Sequence, residues 1–169
     1  HGQAGIAVMT QDTLEDAMKM ACQFGELLFP ALKYRYLKNN KYCSIVFEEN
    51  CNIEELHRFF VEIKISSYYH IFKYLMGSDK EAQFIRFSFS KPSYSQEYKR
   101  YFNCPVEFNA DVSELAIPIE YSHQVLPLAN RFMANYAQDK VFSSVPVSGL
   151  NLLPIKLRTI ILNSDGVFP

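Results

Sequence analysis

The chain lacks the spacings that most directly announce metal, disulfide or catalytic chemistry. Cys22, Cys43, Cys51 and Cys104 form no C-x-x-C pair, and His1, His57, His70 and His123 form no H-x-x-x-H pair. Scattered thiols of this kind point to free cysteines in or near a core rather than to disulfides or zinc. No metal site and no cofactor are therefore expected. There is no G-x-S-x-G, P-loop, H-E-x-x-H or paired Cys-His motif, and the opening H-G-Q-A-G is too short and loose for a dinucleotide loop. Glu54-Glu55 falls mainly on a solvated helical face. Catalysis is not expected. No apolar run approaches the ~20 residues needed to span a bilayer, and the first residues lack a signal-peptide pattern. The expectation is a cytoplasmic protein with no membrane partner. The formal net charge of −1 leaves no basic field to hold DNA directly. Low-complexity tracts and internal repeats are absent as well.

What remains is the composition of an ordinary globular protein, 49% hydrophobic and 21% charged, in a length of 169 residues that suits one domain with a substantial core. Leu14, Ala17, Met18, Ala21, Phe24 and Leu28 recur at helical spacing, which predicts a helix over Thr13 to Phe29 capped by Thr10 or Asp12 and ended by Pro30. Leu32 to Leu37 and Tyr42 to Glu48 alternate around Lys38-Asn39-Asn40-Lys41, a hairpin signal in which Asn suits left-handed turn positions. Ile53 to Met76 is the longest helical run, stopped by Gly77 and Ser78. Gln83 to Ser90 follows as a strand, then Ser93 to Phe102 as a short helix with Ser93 and Gln96 in a capping-box pattern. Val106 to Ile119 has two alternating runs around Asn109, Asp111 and Ser113 and is expected to be a second hairpin. A helix over Leu128 to Gln138 comes next. Long helices between hairpins predict an α+β fold: a mostly antiparallel sheet of about five strands packed against several helices, one of them long and central.

The wording of the segment from Tyr101 to Asn130 carries more than its periodicity. F-x-C-P-V-x-F, a Leu-bearing strand and V-L-P-L stand there in order. Together with the opening G-I-A-V-M-T-Q-D-T-L-E-D-A and the strand I-R-F-S-F-S-K-P from Ile85 to Pro92, this resembles the N-terminal effector-binding (arabinose-binding-like) domain of AraC-type bacterial transcription regulators. Asn103 stands where that family often has Gly. The resemblance implies an effector-binding and dimerisation domain over residues 1–142, a Ser-, Val- and Pro-rich linker over 143–153, and at 154–169 the first helix of a truncated DNA-binding domain. It further implies a small-molecule effector, a homodimer, and DNA contact only through the C-terminal domain missing from this chain. The alternative is a purely structural oligomerisation domain without a small-molecule ligand. Phe132, Met133 and Tyr136 mark one candidate interface, although a core-facing role is the better explanation of those side chains.

The long helix supplies the ligand-pocket candidates. Ile53, Leu56, Phe60, Ile63, Ser67, His70 and Tyr74 share one stripe, apolar first and hydrogen-bonding last, beside a second stripe of Val61, Ile65, Tyr68, Phe72 and Leu75. Both stripes are expected to be buried, with Glu54, Arg58, Glu62 and Lys73 on the solvent face. Ser67, His70 and Tyr74 then either bond within a packed core, Ser67 to its own helix, or line a pocket against the sheet. Arg86, between Ile85 and Phe87, is either a ligand's carboxylate or phosphate partner or a residue of a solvated sheet face. Tyr34 and Tyr36, and Tyr94, Tyr98 and Tyr101, are candidate pocket walls or interface residues, core packing being the commoner fate of such rings.

Overall fold

Thr13 begins the main body of the fold. In the computed structural model, which describes residues 2–144, its hydroxyl accepts the Asp16 N–H at 3.2 Å and caps helix α2, Leu14–Leu28. Neither Thr10 nor Asp12 does so. Thr10 is occupied closing a preceding helix, α1 (Gly2–Met9), through its Oγ1–H to the Ile6 carbonyl. Sequence reasoning did not anticipate α1. Its hold on the molecule is tertiary: Ala7 and Val8 are buried, and the helix packs against α2 and α5 (Arg131–Ser144). Asn130 caps α5, its side chain accepting the Met133 N–H at 3.0 Å.

The strands are β1 (Leu32–Lys38), β2 (Tyr42–Glu49), β3 (Phe84–Phe87), β4 (Val106–Phe108) and β5 (Ser113–Pro118), in spatial order β1-β2-β5-β3-β4. The α+β expectation holds: every neighbouring pair is antiparallel except β3–β4. The β1–β2 hairpin forms as read, with Tyr36 opposite Ile45. Its turn works differently, since the Asn39 side chain accepts the N–H groups of Lys41 and Tyr42. Among the described non-glycine residues, positive φ occurs instead at Asn109 (φ 59°).

The expected second hairpin is not one. β3 lies between β4 and β5, pairing Ile85 with Val106 on one side and with Leu115 on the other. Alternation in 106–119 tells which face each side chain takes, not which strand stands alongside. Ile85 and Phe87, both fully buried, are thereby flanked on both sides. Two helix boundaries also move. The long helix α3 runs His57–Met76 after a short 3₁₀ turn at Glu54–Leu56, and ends at Gly77 with φ 99°. The short helix α4 runs Ser95–Tyr101 with Tyr94 at its cap position and no side-chain cap, so the Ser93–Gln96 box is not formed. Helix α5 extends to Ser144; the remainder of the expected linker and the expected helix at 154–169 lie outside the described residues.

The sheet has two unlike faces. Leu32, Tyr34, Cys43, Ile45, Phe47, Ile85, Phe87, Leu115 and Ile117 join the core with α2 and α3. On the alternate face Ser44, Val46 and Ala116 are buried, and cross-strand charge pairs lie beside them. Arg35 makes a bidentate contact with Glu48, and Arg86 spans Glu107 at 2.7 Å and Glu114 at 3.0 Å. Cys22 and Cys43 are buried free thiols, Cys104 is half-buried and Cys51 is exposed. Burial pushes the Cys22 thiol up to about 12 and the Cys104 thiol to about 11. Among the described residues no helix is long and apolar enough to cross a membrane, and no cluster of His, Cys, Asp or Glu is suited to a metal ion.

Two contacts of α2 yield measurable consequences. A Cβ on Gly25 would stand 2.7 Å from the buried Tyr34 ring. Gly→Ala inside a helix ordinarily gains up to ~1 kcal/mol. Here overpacking reverses the sign, and we expect Gly25→Ala to lower unfolding free energy in urea by about 1–3 kcal/mol. Glu15 binds Lys19 at 2.7 Å and Lys38 at 2.5 Å, with His123 at 3.9 Å, tying α2 to the end of β1. Its hydrogen bonds, first to Lys19 and then to Lys38, hold the carboxyl at about 2 rather than 4.5. A carboxyl lowered in the folded state contributes stability above its unfolded pKa and loses it as pH falls through the folded one. Glu15→Gln should therefore lower the Tm at neutral pH, and its difference from the parent should shrink between pH 4.5 and about 2.

Candidate functional site

Helix α3 turns one row inward and the others toward water. Val61, Ile65, Tyr69, Phe72 and Leu75 are buried, with Tyr68 beside them between Phe47 and Tyr34. The second expected stripe is thus the core row. The first is not: Leu56, Ile63 and Tyr74 are exposed, Tyr74 by 68%. The reason is steric. Both rows are apolar enough to bury, but the sheet meets only one side of a cylinder, and the row carrying Phe72 and Leu75 takes it.

Space between α3 and the sheet is filled. A cavity of about 30 Å³ remains there, lined by Met18, Tyr68, Phe72, Leu115 and Ile117 among others. That is room for roughly one water. The Tyr68 phenol donates to the Ala21 carbonyl at 2.8 Å, and burial raises its pKa strongly. Tyr34 and Tyr36 reach into the α2–β1 seam, where both hydroxyls are buried without a hydrogen-bond partner among the described residues. Burial pushes both phenols up.

The other candidates separate. Ser67 is exposed and donates to its own helix, at the Ile63 carbonyl, 2.7 Å away. His70 is exposed and hydrogen-bonds the Tyr101 hydroxyl. Arg86 lies on the outer sheet face, held by Glu107 and Glu114, with its guanidinium 4.1 Å from the Phe84 ring centroid. Its pKa is raised, chiefly by the Glu107 hydrogen bond. The structure therefore brings Tyr34 and Tyr36 together, and places Ser67, His70 and Tyr74 on the solvent side of α3 and Arg86 on the far face of the sheet.

An organised concavity lies between the outward side of α3 and α4. Glu62, Ser66, Tyr94, Glu97, Tyr98, Arg100, Tyr101 and Phe102 line a groove of about 440 Å³. A second lobe of about 550 Å³, bounded by His57, Arg58, Phe59 and Phe89, shares Glu62 and Tyr94 with it. Helix α4 is anchored by Tyr98, whose buried ring meets the edges of Phe87 and Phe108 at 5.1 and 5.2 Å. Tyr94, one turn earlier, lies parallel to Tyr98 at 5.8 Å. Both phenols donate to Glu62 Oε1, Tyr94 at 3.1 Å and Tyr98 by a shorter bond. Arg58 in turn donates to the Tyr94 oxygen at 3.2 Å and lies over the Phe89 and Tyr94 rings. Burial, and then the bond to Glu62, raises the pKa of the Tyr98 phenol. This network bolts α4 to α3 across the groove floor.

The three tyrosines of α4 were read from the sequence as a possible wall. Glu62 was not; it was placed on the solvent face with Arg58. The available signal was an (i, i+4) pair of tyrosines, Tyr94 and Tyr98, which stand on one helical side and require phenol acceptors. Nothing local names the acceptor, because Glu62 is more than thirty residues away.

Comparison with known proteins places this geometry in context. The N-terminal arabinose-binding domain of AraC transcription regulators matches residues 1–125. The ornithine utilization regulator of Pseudomonas aeruginosa is 21% identical over 170 residues, covering 100% of this chain and 50% of that protein. The crystal structure of the transcriptional regulator CdpR from Pseudomonas aeruginosa superposes with a TM-score of 0.69 at 15% identity, over 99% of this chain and 56% of that one. The similarity to CdpR is one of fold. The chain spans about half the length of these relatives. With the match over residues 1–125, the chain belongs to the family of N-terminal arabinose-binding domains of AraC transcription regulators.

Proposed function

We propose that this chain is the effector-sensing part of an AraC-type regulator, that it is not catalytic, and that its effector binds in the groove between α3 and α4. The observation that carries the site is the Arg58–Tyr94–Glu62–Tyr98 network: polar groups converge on the floor of an aromatic-walled, solvent-open groove. Small-molecule sites combine these elements. Between α3 and the sheet, by contrast, the cavity among the described residues is about 30 Å³. His70 adjoins the groove through Tyr101, so one of the sequence candidates belongs to its rim. A relative named for ornithine utilization supports a small metabolite as the signal. Effector state would pass to a C-terminal DNA-binding domain, which alone would touch DNA.

Dimerisation is the second part of the proposal, and a specific surface favours it. Buried Ala134, Ala137 and Val141 turn the α5 helix toward the body of the domain. That leaves Phe132 exposed by 77%, Tyr136 by 49% and Met133 by 37%. The core-facing role considered for these side chains is not what the fold gives them. Three large apolar groups on one helix suit a copy of the same chain.

The effector site is tested by a metabolite screen read through the ring resonances of labelled tyrosine. A true effector should raise the Tm with ligand concentration and move the Tyr94 and Tyr98 signals together. Stabilising ligands that leave both rings unmoved would place the site elsewhere. For the interface, sedimentation of the parent chain should show a concentration-dependent dimer. Phe132→Glu combined with Tyr136→Glu should leave monomer at the same concentration with the fold intact by circular dichroism.

A further inference from the structure

Hydrogen-bond capacity in the α3–α4 groove is lopsided. The two phenol protons of Tyr94 and Tyr98 are both committed to Glu62 Oε1. These tyrosines therefore turn ring surface and oxygen lone pairs, not donors, toward anything that enters. Glu62 Oε2 has no hydrogen-bond partner among the described residues. Glu97 adds a second carboxylate on the rim. Against these stand the Ser66 hydroxyl and Arg100, which is mostly exposed and joined to Glu97 at 3.2 Å, a surface pair of little strength. In the adjoining lobe, the face that Phe89 and Tyr94 present is already occupied by the Arg58 guanidinium, at 5.4 and 5.8 Å from the two centroids. The same chemistry thus already holds a cation a few ångströms from a lobe that offers Tyr98, Tyr101 and Phe102 rings with a half-free carboxylate.

Resting on the effector-site reading above, we infer that the groove takes a small organic cation, an ammonium or guanidinium headgroup received by Glu62 Oε2 and by the aromatic rings of α4. A carboxylate ligand would meet Glu62 and Glu97 and find Arg100 as the one cation in the groove lining, Arg58 being already engaged by Tyr94 and the Phe89 ring. A neutral sugar would find acceptors in excess of donors. The ligand's charged end sits where α3 and α4 are bolted together. Its differential affinity would then bear on that junction.

Agmatine, which carries a guanidinium and an ammonium and no carboxylate, is the probe. Titrated into the 169-residue chain, it should raise the Tm in a saturable way and shift the Tyr94 and Tyr98 ring signals, while succinate and glucose do neither. Glu62→Gln should weaken agmatine binding by at least about tenfold, as expected for a lost charge-assisted hydrogen bond. Ser66→Lys, which keeps Glu62 but sets an ammonium one turn along α3, at i+4 and within reach of Glu62 Oε2, should weaken it as well. This second variant guards against Glu62→Gln loosening α4. Equal agmatine affinity in parent and Ser66→Lys would overturn the assignment. If succinate or glucose moves the two rings and agmatine does not, the cation class fails while the groove remains the effector site. If no ligand of any charge moves them, both readings fail.

Discussion

A helix has one circumference, and α3 cannot bury all of it. Committing Val61, Ile65, Phe72 and Leu75 to the sheet settles where everything else on the helix must go. The inner seam is then packed by aromatic rings to within about one water's volume. Glu62, Ser66 and His70 are rotated outward by the same commitment, and only there can they meet α4. The location of the groove is thus a consequence of core packing. A ligand site between α3 and the sheet would require removing rings such as Tyr68, whose hydroxyl is already spent on Ala21.

The parts of this fold that were legible in the sequence are those whose partners are close in the chain. The β1–β2 hairpin was readable because four residues separate its alternating runs, and Asn39 closes the turn with its own side chain. Helix α2 was readable from one continuous apolar stripe. The strand order was not. β4 and β5 look like a hairpin because both alternate and a turn lies between them, yet β3 is inserted from twenty residues upstream. Each of these strands satisfies the same inward-outward pattern with either neighbour, so pattern alone could not choose. Helix α1 escaped notice for a related reason: two glycines in a short segment argue against an autonomous helix, and its stability comes from α2 and α5.

The site was half legible. His70 and the α4 tyrosines, singled out in the sequence, border the proposed groove, but α3 was assigned two buried stripes when geometry permits one. Apolar content could not separate the row of Phe60 and Ile63 from that of Ile65 and Phe72; the aromatic side chains descending from the sheet made the choice. Arg86, open in the sequence to either an anionic ligand or a solvated sheet face, lies on the outer sheet face. Its guanidinium suits an incoming carboxylate, but β4 and β5 each supply one from within the fold, Glu107 and Glu114. A long-range pairing had already answered the demand that the isolated strand seemed to pose.

Helix α4 has too few residues to be stable alone, so its position reports on what holds it. On one side that is Tyr98 against Phe87 and Phe108, rings carried by β3 and β4. On the other it is Glu62 of α3, reached by both Tyr94 and Tyr98, with Tyr69 of α3 meeting Phe102 edge-on at 5.1 Å and accepting the Asn103 N–H. The first set is apolar and insensitive to charge. The second depends on a carboxylate whose remaining oxygen is open to any donor that enters the groove. A ligand that recruited Glu62 would bear on the polar half of the anchorage and not on the apolar half. Were a ligand in the proposed groove to move α4, the apolar anchor at Tyr98 would make that motion a pivot rather than a release. Such a pivot would be felt by α3 along its outward row and by the parallel β3–β4 pair beneath. Those are two rigid elements through which occupancy of a surface groove can bias the rest of the domain, with no rearrangement of its filled core.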